Sequence, residues 1–233
     1  MPAPSGPVDA VAIAKGQKSP PSPFIHFSGY EWRVRDAPSS RGGWNSYDPS
    51  NAWTDGDGAM HLRIAKVSGK WTCAEVTLTR SLGYGTYSFM VRDTSHLEPA
   101  AVFGMFTWDY AGDEQDHREM DIEITRWGDP ANNNAQYVVQ PFYIPANVVR
   151  FAMPSGVLTH SFRWQPGSVS FRTIRSSKSG SKAPPVVAEH TFKTGIPSPG
   201  IESVRMNLYI LRVARVPLQN GAEVVVEKFQ YLP

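Results

Sequence analysis

The chain has 233 residues, among them 19 Gly, 20 Pro, 7 Trp, 9 Tyr and 11 Phe, and a formal net charge of +2. That length suits one large all-β domain with a substantial core, and the Gly and Pro content excludes a helical bundle. The scattered basic residues select no nucleic-acid partner, no apolar run approaches a membrane span, and the lone Cys73 excludes an internal disulfide or a cysteine-based metal site.

Residues 1–23 hold six prolines among Ser, Gly and Lys and read as a disordered, linker-like arm. Residues 24–233 read as a single domain. The apolar stretch Val8–Ala14 is too short for a secretory leader and lacks a basic flank. Strand patterns then recur. Met60, Leu62 and Ile64 alternate after the turn Asp55-Gly56-Asp57-Gly58. Ala74, Val76 and Leu78 alternate next, with Cys73, Glu75, Thr77 and Thr79 on the opposite face. Tyr84–Arg92, Ala101–Trp108, Arg118–Arg126 and Ala135–Tyr143 follow. After them come His160–Trp164, Val169–Ile174, Val186–Phe192, Val204–Leu211 and Ala222–Tyr231. At least ten strands with short connections predict a two-sheet antiparallel sandwich of jelly-roll type. The basic loop Arg175–Lys182 reads as a solvated hairpin loop.

One strand stands apart. In Glu119-Met120-Asp121-Ile122-Glu123 a period of two puts three carboxyls on one face and Met120, Ile122 and Ile124 on the other. Like charges so placed, with no Lys or Arg between them, raise one another's pKa. Two carboxyls of differing pKa are what glycoside cleavage requires. The Cα atoms of Glu119 and Glu123 lie roughly 13 Å apart on a strand. On a concave sheet the long Glu side chains lean together, with the shorter Asp121 between them to orient one and hold up the pKa of the other. The plain alternative is a half-exposed strand with its polar face outward. Phe106, Trp108 and Trp127 lie near in sequence and offer surfaces on which sugar rings stack. Asp113, Glu114, Asp116 and His117 lack the spacing of a metal loop and read as a solvated acidic loop. Neither a phosphate-binding Gly-rich loop nor a Gly-x-Ser-x-Gly elbow is present.

With these residues in view, the chain resembles glycoside hydrolase family 16. Its acidic strand is similar to that family's Glu-x-Asp-x-Glu strand. Asp57-Gly58-Ala59-Met60-His61-Leu62, Gly83-Tyr84-Gly85-Thr86-Tyr87, Phe106-Thr107-Trp108, His160–Pro166 and Met206-Asn207-Leu208-Tyr209 resemble further family segments, in the same order. The resemblance runs from about Trp32 to the C-terminus. It implies a β-jelly-roll with a concave cleft and retaining endo-hydrolysis of β-glucan. Glu119 would be the nucleophile, Asp121 its assisting neighbour and Glu123 the general acid/base. The unbulged spacing is similar to that of lichenases, which cut β-1,3-1,4-glucan. A β-1,3-glucanase, a transglycosylase and a non-catalytic glucan-binding module remain as alternatives.

The resemblance also suggests cleft residues: Asn51, Glu75, Phe106, Trp108, Gln136, Gln140, Asn207 and Tyr209, beside Trp127 from the aromatic pattern. Thr77 departs from the family, where lichenases usually carry Arg. His117 and Arg118 stand where an aromatic residue is common, and Tyr209 replaces the common Trp. Glu227 occupies the place of an Asp that holds a structural Ca2+ in relatives. No cofactor is implied for catalysis. The implied partner is a neutral polysaccharide, with no nucleic acid or membrane. A monomer acting in the periplasm or outside the cell is expected.

Overall fold

Period-two patterning becomes strand throughout the computed structural model, which describes residues 22–37, 45–110, 114–176 and 184–233. Most of the Pro-rich arm, the centre of the basic loop and Asp113 lie outside the described residues. Among the described residues sixteen strands run in chain order. They are β1 (Phe24–Phe27), β2 (Tyr30–Val34), β3 (Ser46–Tyr47), β4 (Ala52–Thr54), β5 (Met60–Val67), β6 (Lys70–Leu78), β7 (Gly85–Val91) and β8 (Ala101–Trp108). Then follow β9 (Met120–Ile124), β10 (Ala135–Val139), β11 (Val148–Phe151), β12 (Leu158–Gln165), β13 (Ser168–Arg175), β14 (Val186–Phe192), β15 (Ser203–Ile210) and β16 (Ala222–Leu232). Among the described residues there is no α-helix, only short 3-10 turns.

The ladder order is β11-β10-β9-β8-β15-β6-β5-β16-β7-β12-β13-β14, antiparallel along that path. It folds over at the β5–β6 hairpin into two facing layers. The front layer runs from β11 to β6 and continues through β2 and β1. The back layer runs from β5 to β14. This is the all-β jelly-roll sandwich that the strand count predicts.

Each front strand sends alternate residues into the core between the layers. Ala74 and Val76 of β6, Phe103 and Met105 of β8, Met120, Ile122 and Ile124 of β9, and Met206 and Leu208 of β15 are all buried there. Aromatic contacts join the layers. Trp32 of β2 meets Phe229 of β16 edge-on at 5.2 Å, and its Nε1 donates to Phe27 O. Tyr137 of β10 stacks on Phe171 of β13 at 5.0 Å. The Tyr137 hydroxyl donates to Thr173 Oγ1 at 2.6 Å, which also meets His160 Nδ1 at 3.0 Å. Burial pushes the His160 imidazole down to about 3, so it is neutral. The other face of the front layer is left for function.

Two strands are shorter than their patterns predict by more than one residue at an end. The acidic strand begins at Met120, because Asp116, His117 and Arg118 all have positive φ (47°, 59° and 54°). The Ala135–Tyr143 run ends at Val139, just ahead of Pro141, which has no N–H to extend the ladder. Strands β1, β3, β4 and β11 are too short for periodicity to reveal.

Trp32→Ala removes the indole that links the layers. It is expected to cost about 3–5 kcal/mol, read by urea denaturation. A change below 1 kcal/mol would show that the layers do not depend on it.

Candidate functional site

The outer face of the front layer, away from the shared core, is ordered by register. One row across six strands reads Glu75, Asn207, Gly104, Glu123, Gln136, Arg150. At about 4.8 Å per strand this row spans roughly 24 Å. The next row reads Thr77, Arg205, Phe106, Asp121, Val138, Val148. Gly104 stands beside Glu123 without a side chain, and a Cβ there would meet Asn207 Oδ1 at 2.7 Å. The glycine thus lets Asn207 lean toward the acidic strand.

The backbone on both sides of Glu119 is pinned. Thr107 Oγ1 donates to Arg118 O at 2.7 Å and accepts from Met120 N at 3.3 Å. Glu119 N donates to Asp116 O, and Gln140 N donates to Glu119 O. The left-handed turn before it costs on the order of 1–2 kcal/mol per residue. Contacts at Arg118 and His117 offset that cost. Arg118 Nη1 pairs with the buried Asp109 carboxylate, and its Nε donates to Ser198 O at 2.9 Å. His117 stacks flat on Trp108 at 4.2 Å and 9°.

Asp121 is buried. Its proton is held well above the usual range, first by burial and then by the charges of Glu119 and Glu123. Gln140 Nε2 donates to its Oδ2 at 3.1 Å. Burial likewise pushes the Glu123 carboxyl up to about 7. Gln136 Nε2 opposes this, donating to Glu123 Oε2 at 2.7 Å. The orientation of the Gln136 amide follows from its other neighbours. Trp127 Nε1 at 3.1 Å and Arg150 Nε at 3.0 Å both donate to its Oε1, so the NH2 faces Glu123. With Oε2 taken as an acceptor, the proton of neutral Glu123 belongs on Oε1.

Farther along the face, Glu75 is clamped by two guanidinium groups. Arg35 Nη1 donates to Oε2 at 2.8 Å and Arg205 Nη1 to Oε1 at 3.1 Å. Arg205 also meets the Tyr110 hydroxyl at 3.2 Å and lies 4.7 Å from its ring centroid. Burial, then the charges of Glu123 and its neighbours, hold the Tyr209 hydroxyl protonated, so it is a donor. Together these groups line an open cleft of about 250 Å3. Its walls are Arg35, Asn45, Tyr47, Glu75, Gly104, Phe106, Trp108, Glu119, Asp121, Glu123, Arg205, Asn207 and Tyr209.

The structure therefore gathers Glu119, Asp121, Glu123, Glu75, Phe106, Trp108, Asn207 and Tyr209 in one cleft. It relocates other expected cleft residues. Asn51 is fully buried, donating to Thr72 Oγ1 and Cys73 O and accepting from Arg63 Nε. It sits in the turn Pro49–Asn51 and fastens that turn to β6, while Asn45 lines the cleft. Gln136 and Trp127 spend their polar atoms on the Glu123 network, and Gln140 holds Asp121, so these three support acids rather than face sugar. His117 covers one face of Trp108, which leaves that face unavailable to a sugar ring.

Glu227 does not fit a calcium site. Its carboxylate accepts from Arg92 Nε at 2.9 Å, and among the described residues no three His, Cys, Asp or Glu side chains are placed to hold a metal. Arg35, Asn45, Tyr47, Tyr110 and Arg205 are the functional-face residues that pattern reading missed. Arg205 shares its strand parity with Asn207 and Tyr209, which is the signal that identifies it. Facing Thr77 across the ladder, it brings a guanidinium to this corner from the neighbouring strand.

No family model matches the sequence, and no curated protein matches it. Solved structures do share the fold. A Bacillus licheniformis beta-glucanase aligns with a TM-score of 0.65 at 18% identity, over 91% of this chain and 96% of that one. A beta-1,3-glucanase from Mycobacterium marinum gives 0.62 at 15% identity, over 91% and 94%. A Mycobacterium tuberculosis protein described as an immunostimulatory antigen and pseudo beta-1,3-glucanase gives 0.60 at 14%, over 84% and 88%.

The raised carboxyls make stability depend on pH. Glu123 binds its proton more tightly folded than unfolded, so the fold loses stability as pH rises from about 4.5 to about 7. Asp121 acts in the same direction. Glu123→Gln is expected to match the wild type near pH 4 and to exceed it at pH 8 by on the order of 1–3 kcal/mol. Melting curves against pH check this, and an equal slope in both proteins would contradict it.

Proposed function

We propose that this chain is a retaining endo-β-glucanase of the family 16 kind, acting on β-1,3-1,4-glucan outside the cytoplasm. The observation that carries this reading is the division of labour along one strand face. Glu123 holds a proton near neutral pH on an oxygen that its Gln136 contact leaves free. Glu119, four residues earlier, lines the same cleft. A proton donor and a carboxylate on opposite sides of a buried, protonated Asp121 match the needs of double displacement. The likeness to β-glucanases of known structure supports the fold, and function is argued from the site.

In this mechanism Glu119 attacks the anomeric carbon as Glu123 Oε1 protonates the departing glycosidic oxygen. The bond from sugar carbon to that oxygen breaks and a glycosyl–Glu119 ester forms. Glu123, now ionised, takes a proton from water, which attacks the same carbon and frees Glu119. Asp121 keeps its proton through burial and donates to a neighbouring carboxyl rather than repelling it. The wild type is expected to release β-configured reducing ends from barley β-glucan, and Glu119→Gln to abolish turnover while oligosaccharide binding persists. NMR of early products and calorimetry read both. Binding without cleavage by the wild type would make the chain a glucan-binding module, and preferential cleavage of laminarin would make it a β-1,3-glucanase.

Gln136 gives a finer test. Its N–H favours the ionised form of Glu123, so its loss raises the Glu123 pKa further. Gln136→Leu is expected to move the alkaline limb of kcat/KM to higher pH by up to about one unit. An unmoved limb would remove Gln136 from the acid's control.

A further inference from the structure

We propose that Gln140 is a positioning residue for the nucleophile, its amide holding Asp121 so that the Asp121 proton points to Glu119. This inference rests on the glucanase reading of the cleft and names the carboxyl to which Asp121 donates. Gln140 lies one residue past the end of β10, and its backbone N–H donates to Glu119 O at 3.1 Å. Its side chain bridges two further groups. Phe142 N donates to Gln140 Oε1 at 2.8 Å. A backbone N–H can only donate, so the atom it meets is the amide oxygen and the NH2 faces Asp121. That NH2 donates to Asp121 Oδ2 at 3.1 Å. With Oδ2 taken as an acceptor, the Asp121 proton belongs on Oδ1. A side-chain hydrogen bond joins Asp121 to Glu119 and favours the protonated form of Asp121, so Asp121 is its donor. Glu123 acts on Asp121 through its charge.

A proton donated to Glu119 favours its ionised, attacking form. The other charged and titratable groups around the pair are engaged without Gln140. On its own strand Glu123 is bonded by Gln136, which also takes Arg150 of β11. In the turn before Glu119, Arg118 pairs with Asp109 and His117 stacks on Trp108. From β15, Arg205 bonds Glu75 and Tyr110, and the Tyr209 hydroxyl keeps its proton. Asp116, His190 and Lys193 line a second groove that Gln140 also borders. Two glutamines thus divide the acids: Gln136 is bonded to the proton donor, and Gln140 to the carboxyl that serves the nucleophile.

The test uses the whole chain and barley β-glucan. In Gln140→Leu the Asp121 proton is free to sit on either oxygen, so its donation to Glu119 weakens and Glu119 holds its own proton more tightly. The acid limb of kcat/KM is expected to move to higher pH by up to about one unit, while the alkaline limb set by Glu123 stays in place. Gln140→Glu exchanges the donor for an acceptor and should move the acid limb at least as far. An unmoved acid limb in a folded Gln140→Leu would overturn the proposal. So would both limbs moving together, the mark of a general disturbance. Carboxyl carbon NMR, assigned through the backbone, reads the same titration without turnover. A Glu119 titration that rises in Gln140→Leu while no glucan is cleaved defeats only the hydrolase reading, whereas an unmoved titration in an active enzyme defeats only this proposal. In the wild type Glu119 should ionise before Asp121 as pH rises. The reverse order would overturn the proposal, and that measurement needs no variant to fold.

Discussion

Three carboxyl groups on one buried strand face cannot all be ionised together. Desolvation disfavours each charge, and each charge disfavours its neighbours. The molecule resolves this by raising the proton affinity of Asp121 well above the usual carboxylate range and that of Glu123 to about 7, with Gln136 of β10 bonded to Glu123 and Gln140, just past the end of β10, bonded to Asp121. Much of the surrounding architecture exists to sustain that arrangement. Trp127 and Arg150 fix the amide that fixes Glu123, and the Arg118–Asp109 pair anchors the strained turn that delivers Glu119.

The sheet supplies the geometry. Antiparallel register sets Glu75, Asn207, Gly104, Glu123 and Gln136 abreast, so residues more than a hundred positions apart share one row. The glycine in that row opens room between Asn207 and the acid. On the reverse side the same strands present Met, Ile, Leu and Phe to a core shared with the back layer. One pleat therefore serves the core on one face and lines the cleft on the other, and a shift of register by one residue would exchange them.

Much of this was legible beforehand because a strand's period is local. Alternation in Glu119–Glu123 reveals a polar face without knowledge of any partner, and the same holds for Asn207 with Tyr209 and for Gln136 with Gln140. Periodicity fails where an element is short or the chain turns. Asn51 looks like a polar surface residue, but it closes a 3-10 turn and points under β6 to satisfy buried groups. Arg205 looks like an interruption in an apolar strand, yet a carboxylate on the adjacent strand β6, distant in sequence, gives it a buried place. Glu227 has the right chemistry for a hard cation, but Arg92 reaches it from β7's end and takes the oxygen.

By itself the sequence determined the longer strands, the fold class and which side chains share a face, since backbone geometry over five to eight residues suffices for that. Tertiary structure alone decided which polar residues meet the cleft and which hold the acids in place. Those choices depend on hydrogen-bond partners from distant strands. Proton affinity depends on burial, which is a property of the closed sheet and not of any one segment.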